Sequence, residues 1–143
     1  QVAAPADIYA QPATRFVASF VGSLNIFEAN VTNAVQREIS LDGKRFVLPE
    51  KIWFALGQSV RAGESVHLGL RPEAVSFGHA DNRVNLMARI RNVTFLGSII
   101  RVKADLAGQH VLVDLLSHPG EKLPQANTET LLSFDPEDMI VLR

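Results

Sequence analysis

The chain has 143 residues, and its 14 Lys and Arg against 15 Asp and Glu leave a formal net charge of −1. That balance argues against nucleic acid as the main partner, because a basic footprint is the first sign of one. Hydrophobic residues make up 47% of the sequence, enough to bury a core and to argue against global disorder. Cysteine is absent, which fits a reducing compartment without requiring one. No apolar run approaches the roughly 20 residues that cross a bilayer. The length suits one ordinary domain, or one compact domain with a helical appendage. The sequence opens on Gln1 without a basic, apolar leader and reads from the start like the middle of a domain, so a fragment of a longer protein is expected.

Gln1 to Gly22 is the one region with convincing helical character. Pro5 suits a first helical turn and Asp7 its positive end; Pro12 interrupts, and a second run from Ala13 to Val21 closes at Gly22. Within it Phe16, Val17, Phe20 and Val21 recur at helical spacing as one apolar stripe. That stripe packs either on the domain's own core or on a partner outside the chain.

From Asn25 onward the pattern changes to short strands and turns. Ile26 to Val35 predicts one strand. Ile39 to Leu48 predicts a hairpin turning at Asp42-Gly43 and ending at Pro49. In Lys51 to Gln58, Trp53, Phe54 and Leu56 fit either a buried strand or a short helix. The next strand, Glu64 to Arg71, alternates Val66, Leu68 and Leu70 against His67, Gly69 and Arg71. Gly69 lacks a side chain inside a strand, so another backbone or ring is expected to approach it closely. Pro72 has no amide donor and ends that strand. Arg71 and Glu73 flank it and are expected to form a buried or interface ion pair.

After a polar turn at Gly78 to Asn82 the sequence predicts a long strand, Val84 to Leu96, and a partner, Ile99 to Leu106, joined by Gly97-Ser98 as a tight turn. That register pairs Val93 and Phe95 with Val102 and Ile100 on an inner face, and Asn92 and Thr94 with Lys103 and Arg101 outside. Carried back, it turns Arg89 and Arg91 toward the apolar side, so a bulge or bend is expected near Asn92. His110 to Leu116, Thr130 to Phe134 and Met139 to Leu142 are the remaining strands, with a polar loop from Ser117 to Asn127. Asp135, Glu137 and Asp138 surround Pro136 as turn formers. Many short strands with Gly and Pro turns point to an all-β fold, a closed or nearly closed barrel. No repeat is visible by eye, though two interleaved barrel halves of similar length fit the spacing.

No catalytic constellation stands out. His67, His79, His110 and His118 are scattered without metal-ligand spacing. No Gly-x-x-x-x-Gly-Lys loop is present to cradle a triphosphate, and Leu106-Ala107-Gly108-Gln109, which faintly echoes an ATPase signature, reads as a β-turn between strands. Arg89, Arg91, Arg101 and Lys103, with Phe95 as a stacking ring, would make a single-strand-binding face of an OB barrel; a charge-balanced outer surface is the plainer reading.

Several separated motifs go beyond composition. Gln1-Val2-Ala3-Ala4-Pro5-Ala6-Asp7-Ile8-Tyr9-Ala10-Gln11-Pro12, followed by Phe16-Val17-Ala18-Ser19-Phe20-Val21-Gly22-Ser23-Leu24-Asn25, resembles the segment where the ATPase domain of an ABC importer hands over to its C-terminal domain, with Asp7 replacing the common glutamate and Ala4 a frequent threonine. Leu68-Gly69-Leu70-Arg71-Pro72-Glu73 resembles the Gly-Ile-Arg-Pro-Glu mark of the transport-associated OB (TOBE) domain. Val93-Thr94-Phe95-Leu96-Gly97-Ser98 and Phe134-Asp135-Pro136-Glu137-Asp138 are similar to later strands of that family. The resemblance implies an OB/MOP-like β-barrel at 23–143, serving regulation and dimerisation, preceded at 1–22 by the helical tail of an ATPase domain. It marks Gly69, Arg71, Pro72, Glu73, Phe95, Gly97, Asp135, Pro136 and Asp138 as structural or interface residues. It further implies no catalysis and no cofactor in this fragment, with ATP and Mg held by the ATPase domain; a homodimer; permease subunits reached through the ATPase domain; no nucleic acid; and a place on the cytoplasmic side of the inner membrane. The alternative is a barrel sensing a small oxyanion or sugar. The Ser-Ala-Arg-Asn type motif of oxyanion-binding relatives is not visible, and Asn30-Val31-Thr32-Asn33 offers only generic polar groups.

Overall fold

The computed structural model describes residues 23–57, 59–118 and 123–142. The helices and the stripe of Phe16, Val17, Phe20 and Val21 expected within 1–22 lie outside the described residues. In chain order the elements are β1 (Asn25–Asn33), β2 (Glu38–Leu41), β3 (Lys44–Val47), α1 (Glu50–Leu56), β4 (Ser65–Leu70), a 3-10 turn (Pro72–Ala74), β5 (Ser76–Phe77), β6 (Val84–Leu96), β7 (Ile99–Leu106), β8 (Gln109–Leu116), β9 (Glu129–Phe134), a second 3-10 turn (Pro136–Asp138) and β10 (Ile140–Leu142). The fold is all-β, as the alternation predicts.

These elements form two compact units. The first holds the described residues up to Arg71 and from Pro136 on, and the second holds Pro72–Asp135. Each contains one antiparallel five-stranded sheet: β10-β4-β1-β2-β3 in the first, β5-β9-β6-β7-β8 in the second. In the first unit α1 packs against β10; in the second the turn Pro72–Ala74 packs against β8, so each sheet is curled with its edges drawn together.

The two units follow one plan, which the sequence does not announce. Phe27 pairs with Leu68 in the first and Leu86 with Leu132 in the second. Strands β4 and β9 share a burial pattern, and each runs through Arg71-Pro72 or Asp135-Pro136 into a 3-10 turn. The bulges also correspond. Register shifts between Val31 and Asn33 on β1 and between Ile90 and Asn92 on β6. Each bulge is hooked by paired backbone bonds, Val31 N to Glu64 O and Gly63 N to Val31 O in one, Ile90 N to Thr128 O and Asn127 N to Ile90 O in the other, all 2.8 Å. The bulge near Asn92 is the one the arginine parity predicts.

Local chemistry accounts for the elements. Asp42 and Gly43 both adopt positive φ, as a type I′ hairpin turn requires. Pro49 stands at the N-cap of α1, Glu50 lies in its first turn, and Ile52 is its buried residue. The segment that fits either strand or helix is therefore helical, and Phe54 is exposed rather than buried. The β7–β8 turn places Ala107 at φ 55, a left-handed conformation that costs a Cβ-bearing residue about 1–2 kcal/mol. Ala107→Asn, whose side chain tolerates that region, is expected to raise stability by up to about 1 kcal/mol in urea unfolding.

Candidate functional site

Gly69 sits mid-strand in β4, paired with Ile26 and Ile140. A Cβ there would lie 2.9 Å from Cδ2 of Leu24, so what approaches it is a leucine side chain and not the backbone or ring expected. Leu24 and Ile26 pack with Ile140 and Leu142 into a small apolar cluster of the first unit. Arg71 is half-buried and Glu73 exposed, so a salt link between them would not be a buried one. Pro72 is buried and opens its 3-10 turn. Asp135 and Pro136 are half-buried and Asp138 exposed at the matching turn, where Met139 N donates to Pro136 O at 3.1 Å. The family-motif residues therefore mark the two places where the chain passes between units, plus one hairpin tip.

That tip is the turn between β6 and β7. Phe95 pairs with Ile100 and Leu96 with Ile99, in the predicted register, and Gly97 takes φ 70 in the turn. The inner-face expectation fails for Phe95. Strand β9 pairs with β6 only as far as Arg89, so beyond the bulge β6 has a neighbour on one side alone and Phe95 lies past the core. Phe95 is 64% exposed, Leu96 49%, Ile99 38% and Leu116 64%; Leu96, Ile99 and Leu116 form one exposed apolar row across the three-stranded ladder, and Phe95 stands on its opposite face. Sequence reasoning singled out Phe95 and missed Leu96, Ile99 and Leu116. The signal was there in adjacent apolar residues on both sides of Gly97-Ser98, which leave neither face of the strand pair polar.

Two of the four cations proposed for a basic face, Arg91 and Arg101, are neutralised by carboxylates, while Arg89 and Lys103 are exposed. Arg101 Nε and Nη2 donate to the two carboxylate oxygens of Asp114, each at 2.8 Å, and Arg91 Nε pairs with Asp105. A bidentate pair of that kind fixes both side chains and cancels their charge. Asp105 also lies 2.7 Å from Nδ1 of His110, joining β6, β7 and β8 at the bulge. The hydrogen bond from Arg91 holds the Asp105 carboxyl below the usual carboxylate range, with desolvation opposing and His110 reinforcing it. A carboxyl depressed on folding stabilises above its unfolded pKa and loses that contribution as pH falls through the folded one. The stability advantage of wild type over Asp105→Asn, read as urea midpoints from about pH 7 to about pH 3, should be constant near neutrality and vanish at the acid end.

A second exposed apolar feature lies in the first unit, an open cleft of about 420 Å³ lined by Ala34, Val35, Trp53, Phe54, Gly57 and Val60. Among the described residues no charged side chain lines it. Among the described residues no group of three or more His, Cys, Asp or Glu is placed to hold a metal ion.

The TOBE domain model matches residues 68–142, just over half the chain. The chain belongs to the TOBE domain family. Over 142 residues it is 32% identical to the Fe(3+) ions import ATP-binding protein FbpC 1 of Pectobacterium atrosepticum, spanning 99% of this chain and 37% of that protein. It is 33% identical to the sn-glycerol-3-phosphate import ATP-binding protein UgpC of Chromobacterium violaceum, spanning 96% of this chain and 37% of the relative. The chain thus spans a little over a third of the length of these curated relatives. Among solved structures it is similar to the cytoplasmic molybdate-binding protein ModG, with a TM-score of 0.64 and 13% identity, covering 93% of this chain and 99% of that one. At that identity the likeness shows the fold, an OB/MOP-like β architecture, and the relatives place this TOBE domain with the ATP-binding subunits of ABC importers. Among the described residues no helix is long and apolar enough to cross a membrane.

Proposed function

We propose that this TOBE domain is the C-terminal regulatory and dimerisation module of an importer's ATP-binding subunit, non-catalytic by itself. It would lie on the cytoplasmic side of the inner membrane, with residues 1–22 as the tail of the ATPase domain and 23–143 as the module. ATP and Mg would be held by that ATPase domain, which would also engage the permease subunits. The observation that carries the dimerisation reading is the exposed cross-strand row of Leu96, Ile99 and Leu116 at the tip, with Phe95 exposed on the opposite face of the ladder. Monomeric surfaces rarely keep contiguous apolar residues together, and such a patch marks a contact site. A second copy meeting it through the same residues would form a closed two-fold contact. The neutralised cations of the β6–β8 surface support contact with protein over contact with nucleic acid. Sedimentation equilibrium of the chain should show a concentration-dependent dimer without nucleotide turnover. A strict monomer at high concentration would contradict self-association, and turnover by the chain alone would contradict the division of labour.

A further inference from the structure

The apolar row at the tip is three side chains, Leu96, Ile99 and Leu116. A stable contact between proteins takes roughly 20 residues a side, so a footprint that holds two copies together runs beyond that row. It has one direction open. On the face that carries Phe95 the next residues inward, Ile100, Val102 and Val113, are buried in the unit's own core. On the other face, successive rows of outward side chains lie about 7 Å apart along the ladder. Behind the tip come Thr94, Arg101 and Asp114, and behind those Asn92, Lys103 and Leu112.

The charges on those rows decide where two copies can cross. A side chain on a two-fold axis faces its own copy, so an unpaired charge there meets a like one. Lys103 is exposed, and an axis through its row would set two ammonium groups together. An axis through the tip row would overlap the ladders by little more than one row. One between Arg101 and Lys103 would lay the apolar row of each copy on the Arg91–Asp105–His110 network of the other. The row of Arg101 and Asp114 has none of these faults. Arg101 Nε and Nη2 donate to the two carboxylate oxygens of Asp114 at 2.8 Å, and the side chains are 30% and 13% exposed. The pair is neutral as a whole, already ordered and half-buried, so covering it costs less than covering a free charge.

We infer, resting on the dimerisation reading above, that two copies lay the outer faces of β6, β7 and β8 antiparallel across one another, with the Arg101–Asp114 pair on the two-fold axis. Each Arg101 then faces the Asp114 of the other copy, and four alternating charges meet without a like pair in contact. Leu96, Ile99 and Leu116 of one copy come down on Leu112 and the aliphatic stem of Lys103 in the other, whose ammonium reaches the solvated rim. Arg101 and Asp114 thereby make this surface specific for its own copy.

Sedimentation equilibrium of the whole chain tests this with wild type, Arg101→Glu, Asp114→Lys and an equal mixture of the two variants. Arg101→Glu sets only carboxylates on the axis row and Asp114→Lys only cations, so each alone should self-associate at least about tenfold more weakly than wild type. Mixed, the two faces are complementary, and the variants should associate with each other more tightly than either does with itself. A second measurement leaves the ion pair intact. Spin labels at Thr94→Cys, on the axis row, should lie closer together across the dimer than labels at Ser98→Cys, on the turn. A single variant that dimerises as tightly as wild type, or a Thr94 distance longer than the Ser98 distance, would overturn the axis while leaving a contact through the tips. A monomeric wild type would overturn the axis and the dimerisation reading together.

Discussion

Leu68→Ala and Leu132→Ala should each lower the free energy of unfolding by about 2–5 kcal/mol, the range for emptying a leucine's place in a packed interior. Leu68 is fully buried on β4 opposite Phe27, and Leu132 almost fully buried on β9 opposite Leu86. They occupy the same place in the two units, so the losses should be alike in size. Urea unfolding followed by circular dichroism measures both. Near-native stability in one variant and collapse in the other would show that the shared plan does not extend to the cores.

Leu116→Glu should weaken self-association at least about tenfold while changing monomer stability by less than about 0.5 kcal/mol. Leu116 is exposed at the end of β8 and shares a cross-strand row with Ile99 and Leu96. A carboxylate in that row would be desolvated in a closed contact and solvated in the free chain, so its cost falls on association alone. Leu96→Glu should do the same. Sedimentation equilibrium reads the first quantity and urea unfolding the second; a variant that associates as wild type does would move the contact elsewhere.

Much of the second unit was legible in its residues. The bounds of β6 and β7, the Gly97-Ser98 turn and the pairing of Thr94 with Arg101 follow from alternation and one glycine. The bulge followed from a conflict: two arginines could not share a face with Val93 and Phe95 unless the strand gained a residue. The repeat stayed hidden because the two units share burial and bulge positions more than identities; Leu68 and Leu132, or Pro72 and Pro136, are isolated matches in otherwise different strands. Exposure at the tip was hidden for another reason. Alternation says which side chains share a face, but whether the face is covered depends on where β9 stops pairing, at Arg89 and Glu129. Segment 51–58 offered apolar residues compatible with either period, and Pro49 and Glu50 decided for α1.

The chain contains no cysteine, so Ser98→Cys places one spin label on the β6–β7 turn beside Leu96 and Ile99. Pulsed dipolar spectroscopy of that protein at high concentration tests the contact role most directly. Two copies meeting through their tips predict a single short interspin distance, below the roughly 30 Å diameter of a small domain, that disappears in Leu116→Glu. An absence of intermolecular dipolar coupling in the wild-type background would contradict it.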